Sequence, residues 1–127
     1  MKNTIFIAII ILLIIPLFSG TFAVKKVEDY TYLVPDTHAC PITLYFGADI
    51  TTNGPGEVTY RWIRNDGFRT GSKTLRFDAA GTKSIKYKWQ MTVPHKTSAL
   101  QSVQVQILSP NRLLSDGTGA YVFCWPR

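Results

Sequence analysis

Few residues of this chain could carry out acid–base, nucleophilic or metal chemistry, and they lie far apart. The two histidines, His38 and His95, fall in separate predicted loops. The sequence has no G-x-S-x-G, H-E-x-x-H or glycine-rich phosphate-loop motif. Asp36 and His38 together supply at most half of a metal site, within a turn that contains a proline. We therefore predict a non-catalytic protein without a cofactor, with a metal-assisted enzyme at Asp36 and His38 as the weakest alternative.

A basic cluster in the middle of the chain is the first candidate for binding. Between Arg61 and Lys88 the chain has eight basic residues and two acidic ones, Asp66 and Asp78. The basic residues are Arg61, Arg64, Arg69, Lys73, Arg76, Lys83, Lys86 and Lys88. A positive excess favours anionic partners, although outward charges on strands also serve to keep them soluble and unpaired. The cluster forms one patch if residues 78–82 make a hairpin within one sheet. It divides if the strand that follows lies in the other sheet. The candidate binding residues are Arg61, Arg64, Arg69 and Arg76.

Aromatic residues near the carboxyl end are the second candidate. If Cys124 faces inward, Tyr121, Phe123 and Trp125 share the outer face of the last strand, beside Gln104 and Gln106. Such a stripe would suit stacking on a sugar or against an apolar protein anchor. The alternative is that these aromatics are part of the core, or that tyrosines of the first strand cover them.

The basic cluster and the aromatic residues near the carboxyl end must both lie on strands, because apolar residues alternate along most of the chain with a period of two. The segment "VTYRWIRNDGF" places Val58, Tyr60 and Trp62 on one face and ends in a turn at Asn65-Asp66-Gly67. No segment shows a helical period. We predict seven strands, within Tyr30–Val34, Ile42–Ile50, Val58–Ile63, Leu75–Phe77, Ile85–Met91, Val103–Ile107 and Ala120–Trp125.

Residues 1–23 are predicted to be an export signal. Lys2 precedes an uncharged apolar run, and Thr21 and Ala23 place small residues at the −3 and −1 positions of a cleavage site before Val24. The run is shorter than the roughly 20 residues of a spanning helix, so we expect no membrane span after cleavage; an uncleaved anchor is the alternative. Residues 24–127 are then one secreted or periplasmic domain, predicted to be a monomer.

The two cysteines, Cys40 and Cys124, are predicted to form a disulfide in this oxidising compartment. If successive strands alternate in direction, Cys40 before the second strand and Cys124 at the end of the seventh lie at the same end of the fold. The bridge then closes the two sheets without distorting them.

These features together resemble the immunoglobulin-type domain. The resemblance rests on an early strand with Cys40, a strand with Trp62 about twenty residues later, and the terminal Asp116, Tyr121 and Cys124. The segments "VTYRWIRNDG" and "TLRFDAAGTKSIKYKWQM" are similar to Ig-like modules of small secreted bacterial proteins. Tyr121 lies three residues before Cys124, whereas antibody-type domains have a spacing of two. No further strand is predicted after Cys124. Both departures favour a fibronectin-III-like order of seven strands.

The resemblance implies an all-β, seven-stranded Ig-like antiparallel sandwich that acts as a binding or interaction module. We expect it to recognise an extracellular or envelope protein or an anionic polysaccharide. Nucleic acid is not expected, because the exported chain has no nucleic-acid motif. The alternative function is inhibition of an extracellular enzyme through a loop, either Asn53-Gly54-Pro55 or Pro94 to Ala99.

Overall fold

The computed structural model describes residues 21–33, 39–92 and 99–125, and in these ranges every regular element is a strand. The eight strands are β1 Val24–Leu33, β2 Ile42–Thr52, β3 Gly56–Arg64, β4 Lys73–Phe77, β5 Gly81–Met91, β6 Ala99–Ser109, β7 Leu113–Leu114 and β8 Thr118–Val122. All pairings between strands are antiparallel. The described part of the chain contains no helix long and apolar enough to cross a membrane.

The strands form two sheets. One has three strands in the order β1–β2–β5, and the other has the order β4–β3–β6, with β7 and β8 both paired to β6. The chain therefore crosses between sheets after β2, after β4 and after β5. The predicted all-β fold of two antiparallel sheets is confirmed.

The core lies between the two sheets and is formed by the apolar alternation seen in the sequence. Leu44, Phe46 and Ile50 of β2 are fully buried, and so are Val58 and Trp62 of β3. Residues of both sheets belong to one apolar cluster. The indole ring of Trp62 stacks on the ring of Tyr87 from the opposite sheet, with centroids 5.5 Å apart. The prediction that Val58, Tyr60 and Trp62 face the core is confirmed, and burial raises the pKa of the Tyr60 phenol.

The predicted disulfide is present. Cys40 and Cys124 are bonded with their Cα atoms 5.1 Å apart, at the start of β2 and just beyond β8. The Cys40 amide also donates to the Trp125 carbonyl oxygen at 2.8 Å. The bridge thus ties the three-stranded sheet to the five-stranded sheet at one end of the core, as the sequence predicts.

The predicted turn at Asn65-Asp66-Gly67 is also present. The Gly67 amide donates to the Arg64 carbonyl oxygen at 3.0 Å, and the Arg64 amide donates to the Phe68 carbonyl oxygen at 2.9 Å. Gly67 has φ +91°, a conformation that residues with a Cβ rarely adopt. The Asp66 carboxylate accepts a further bond from the Phe68 amide.

Most strands extend beyond their predicted bounds, and further differences concern the number of strands and the two terminal strands. The seven predicted strands become eight, because Leu113 and Leu114 form β7 against β6, and two residues are too few to show a period. The first strand begins at Val24 rather than Tyr30. The last ends at Val122, and Trp125 forms only an isolated bridge to Ala39. Val34 lies outside the described residues.

A polar contact closes the sandwich on the side of β1. The Asp29 carboxylate accepts hydrogen bonds from the Ser115 hydroxyl and, at 3.0 Å, from the Gly117 amide. The Ser115 hydroxyl in turn accepts from the Val105 amide of β6 at 2.7 Å. Since β1 belongs to the three-stranded sheet and β6 to the other, this chain of bonds links the two sheets.

Candidate functional site

The basic cluster is divided between the two sheets. β4 pairs with β3, whereas β5 pairs with β2 in the opposite sheet. Residues 78–80 therefore form a crossover and not a hairpin within one sheet. Arg61 and Arg76 lie on the outer side of the five-stranded sheet, and Lys86 and Lys88 on the outer side of the three-stranded sheet. Of the two arrangements that the sequence left open, the structure has the divided one.

Arg64 is the last residue of β3. Its side chain contacts other residues of the protein. Its guanidinium group lies 4.3 Å from the ring centroid of Trp89 and 4.4 Å from that of Phe68. Its Nε donates to the Asp66 carboxylate at 3.1 Å. The hydrogen bond with Asp66 is the main cause of the raised pKa of Arg64. The side chain thus covers one end of the core, and a binding role for it remains a prediction.

The other three candidate arginines lie on the outer side of the five-stranded sheet. Arg61 donates from Nε to the Gln106 side-chain oxygen at 2.7 Å across the β3–β6 pair. Arg76 is exposed on the edge strand β4, with its Nε 3.4 Å from the Asp78 carboxylate. Arg69 is exposed and forms a bridge with Ile63. The three share one side of one sheet.

The aromatic candidates alternate in burial as expected. Val122 and Cys124 are buried, whereas the Tyr121 side chain is 72% exposed and the Trp125 side chain 51% exposed. Phe123 is half-buried, and its ring meets that of Trp125 edge to face at 6.3 Å. Tyr121 pairs with Leu100 of β6, which places it on the same outer side as Arg61. Tyr30 and Tyr32 do not cover this strand, because they lie on the other sheet.

A shallow groove of about 250 Å³ crosses this outer side between β3 and β8. β8 lies close to β6 at Gly119, where a Cβ would come within 2.5 Å of the Gln101 carbonyl oxygen. The lack of a side chain at Gly119 therefore helps to keep the groove open. Two carboxamide side chains of the groove, Asn65 and Gln104, are held by hydrogen bonds. The Asn65 carboxamide donates to the Leu100 carbonyl oxygen and accepts from the Ser102 amide, and Gln104 donates to the Ser115 carbonyl oxygen.

We call this surface the groove face; it comprises Arg61, Ile63, Leu100, Ser102, Gln104, Leu114, Gly119 and Tyr121. Its exposed apolar groups are Leu100, Leu114 and Tyr121, with Leu100 45% and Leu114 52% exposed. The backbone register places all three outward, because Leu100 pairs with Tyr121 and Leu114 with Gln106. The surface therefore combines fixed polar groups with apolar side chains that project into solvent.

Sequence reasoning missed a second cluster, on the outer side of the three-stranded sheet. We call it the tyrosine–lysine face, and it comprises Tyr30, Tyr32, Tyr45, Lys86 and Lys88. The ammonium group of Lys86 lies 4.4 Å from the ring centroid of Tyr32, and that of Lys88 lies 5.8 Å from the centroid of Tyr45. The spacing of two between Tyr30 and Tyr32, and between Lys86 and Lys88, indicates that each pair shares one side of its strand. That the two pairs lie on the same surface follows only from the strand order β1–β2–β5.

The candidate metal and loop residues lie mostly outside the described residues. This holds for Asp36, for both histidines and for residues 93–98 of the second predicted loop. Within the described ranges there is no group of three or more His, Cys, Asp or Glu side chains that could hold a metal ion. Comparisons with protein-family models, with curated proteins and with solved structures find no match to this chain.

Proposed function

We propose that this protein is an exported, non-catalytic Ig-like binding module that recognises an extracellular or envelope protein through the groove face. The observation that carries the proposal is the outward projection of Leu100, Leu114 and Tyr121 from one sheet. Leu100 and Tyr121 pair directly across β6 and β8, and Leu114 lies farther along the same side of the sheet, where it pairs with Gln106. Large apolar side chains exposed together on a small domain are typical of protein-interaction surfaces.

The chemistry of the groove face suits a protein partner. Tyrosine and arginine are the residue types most often found to dominate binding energy, because each offers a large rigid contact area together with a polar end. Arg61 is held in place by Gln106, so little side-chain entropy is lost when a partner binds. The groove beside them gives a partner's side chain a place to enter.

The Ig-like assignment, of the fibronectin-III kind, rests on the strand order. One sheet holds the first, second and fifth strands, and the other holds the fourth, third and sixth with the last strand beside the sixth. This is the order expected from the resemblance carried by Cys40, Trp62 and Cys124. Trp62 packs in the core, and the disulfide closes one end.

Export is supported by two features. The disulfide is typical of an oxidising compartment. The start of β1 coincides with the predicted cleavage site, and the Asn111 carboxamide bonds both the amide and the carbonyl oxygen of Val24. A chain that begins at Val24 would keep this anchor.

The test is capture of partners from extracellular and envelope fractions by the purified protein, expressed from its full coding sequence in an exporting host. The double variant Leu100→Ser/Tyr121→Ser removes the apolar projections of the groove face. Its matched control, Leu33→Ser/Phe68→Ser, removes two large apolar side chains, each from a residue 50% exposed, that belong neither to the groove face nor to the opposite cluster of tyrosines and lysines. We expect wild type and the control variant to capture the same partner protein, and the groove-face variant to capture it no longer. A partner lost equally from both variants, or retained by both, would refute the proposal.

The inhibitor hypothesis gains no specific support from the described loops. The turn between β2 and β3 has only three residues, Asn53 to Pro55. The Thr52 hydroxyl donates to the Gly54 carbonyl oxygen at 3.0 Å and holds this turn. A short turn fixed in this way reaches little beyond the sandwich.

A further inference from the structure

We infer that the tyrosine–lysine face is a second binding site and that its ligand is an acidic polysaccharide. The site lies on the opposite sheet from the groove face, so it does not depend on the function proposed above. The inference rests on three tyrosine rings and two ammonium groups that lie together on the outer side of the three-stranded sheet.

The backbone register brings the three rings together. Tyr30 pairs with Gly47, and Leu33 pairs with Tyr45 after an irregularity in β1. The ring centroids of Tyr30 and Tyr32 are 6.3 Å apart, and those of Tyr32 and Tyr45 are 5.8 Å apart. The ring planes are inclined by 62° and 54°, so the three rings form a tilted, edge-to-face cluster across β1 and β2.

Gly47 fixes the position of Tyr30. A Cβ at Gly47 would lie 2.6 Å from the Cε2 and Cζ atoms of the Tyr30 ring. The Tyr30 ring therefore packs directly on the backbone of β2 at Gly47. A side chain at position 47 would push the ring away from the sheet. A ring supported on one side by the sheet is suited to packing against a flat ligand on its other side.

The ammonium group of Lys86 is held by these rings. Its Nζ donates to the Tyr30 hydroxyl at 2.8 Å and lies 4.9 Å from the centroid of the same ring. The bond to Tyr30 is the main cause of the raised pKa of Lys86, so the group is charged at every physiological pH. The bond to Tyr30 uses one of the three ammonium hydrogens, so two others can bond a ligand.

The positive charge of the face has no carboxylate paired with it in the described ranges. The salt bridges found there join Lys26 to Glu28, Arg64 to Asp66 and Arg76 to Asp78. Asp49, on the same side of β2, accepts from the Ser84 hydroxyl at 2.6 Å, and its charge is the smallest of the causes that raise the pKa of Lys86. Lys86 and Lys88 are therefore available to bind anions from solution.

An acidic polysaccharide fits both halves of this surface. The apolar faces of sugar rings stack on aromatic side chains, and uronate or sulfate oxygens accept charge-assisted hydrogen bonds from lysine. Lys86 and Lys88 project from the same side of β5 about 7 Å apart, so they can contact successive anionic groups of a linear chain. A membrane fits less well, because insertion into lipid needs a bulky apolar face and here the rings carry hydroxyl groups.

The test measures binding of the purified protein, expressed from its full coding sequence, to polygalacturonate and dextran sulfate at physiological ionic strength. Neutral dextran and vesicles of anionic phospholipid serve as comparison ligands. The variant Lys86→Gln/Lys88→Gln should weaken binding about tenfold or more, because it removes two charge-assisted contacts. The control Lys73→Gln/Arg112→Gln removes the same charge from two exposed positions, on β4 and between β6 and β7, and should bind like wild type.

The variant Tyr32→Ser separates stacking from charge, since it leaves both lysines in place; it should also weaken binding to the polysaccharide. Stronger binding to polygalacturonate than to dextran sulfate would assign carboxylate, and the reverse would assign sulfate; either supports the inference. Equal losses in the two charge variants would overturn it, since they would show attraction by net charge alone. Binding only to the vesicles, or to no probe, would also overturn it.

Discussion

The bond network at Asp29 makes the most quantitative prediction, which concerns the replacement Asp29→Ala. Asp29 is half-buried on β1, and its carboxylate accepts from the Ser115 hydroxyl and the Gly117 amide. Ser115 is buried, so removing the carboxylate leaves its hydroxyl without an acceptor inside the protein. Hydrogen bonds to charged groups contribute about 1.5–3 kcal/mol each, and partial exposure of Asp29 lowers that value. We expect Asp29→Ala to reduce the free energy of unfolding by about 2–4 kcal/mol.

The measurement is urea unfolding of wild type, Asp29→Ala, Ser115→Ala and the double variant. The two side chains bond each other, so we expect their effects to be non-additive by about 1 kcal/mol or more. Glu28→Ala is the matched control, because it removes the neighbouring carboxylate of the same strand, which among the described residues forms one exposed salt bridge, with Lys26. Its effect should stay below about 0.5 kcal/mol.

Two results would refute this reasoning. The first is a change of less than about 0.5 kcal/mol for Asp29→Ala, which would show that water replaces the carboxylate without cost. The second is strict additivity in the double variant, which would show that Asp29 and Ser115 act independently. Unchanged dependence of unfolding on urea concentration would confirm that the variants unfold from the same compact state.

Three further predictions follow from other contacts. Reducing the disulfide should lower the free energy of unfolding by about 4.5 kcal/mol, as expected from chain entropy for a loop of this length, and a shift in the urea midpoint measures it. Gly47→Ala should displace the Tyr30 ring and break its bond to Lys86 while changing the thermal midpoint little, because the ring can move outward; NMR shifts of the Tyr30 ring check this. The hydrogen bond from Arg64 lowers the pKa of Asp66, so the pair stabilises the fold above the unfolded pKa of about 3.9, and this contribution disappears as pH falls through the lower folded value. Wild type should exceed Asp66→Asn in stability by less than about 1 kcal/mol at neutral pH and should match it in strong acid; a difference that grows on acidification would contradict the assignment.

The sequence predicts the core strands well because burial of one face dictates the residue order along them. Leu44, Phe46 and Ile50 alternate with polar residues, and so do Val103 and Val105, and all five are buried. A shift of one residue in register would turn either set to the solvent, so the pattern leaves one arrangement. The turn at Gly67 and the disulfide follow from chemistry that is just as local.

The start of β1 could not be predicted in this way, because its inward residues include polar ones. Asp29 and Thr31 turn toward the other sheet, where Asp29 binds Ser115 and the Thr31 hydroxyl bonds that of Thr118 at 2.9 Å. Partners more than eighty residues away in sequence make these positions acceptable. An alternation of apolar and polar residues cannot reveal them.

The candidate surfaces depended even more on long-range pairing. Which sheet receives β5 decides whether Lys86 lies beside Arg76 or beside Tyr30, and the sequence allowed both. The groove face was partly predicted, since Arg61 and Tyr121 were singled out from local patterns. The tyrosine–lysine face required the register between Tyr30 and Gly47, which no local pattern contains.

The most direct test of the central claim is photo-crosslinking from single positions in an exporting host. A photoreactive residue replaces Tyr121 on the groove face, Tyr32 on the opposite sheet, or Asp78 in the exposed crossover between the sheets. We expect a discrete protein adduct from position 121 that is absent from positions 32 and 78. Adducts from position 32 or 78 without one from position 121 would contradict it, because they would place the protein partner on another surface.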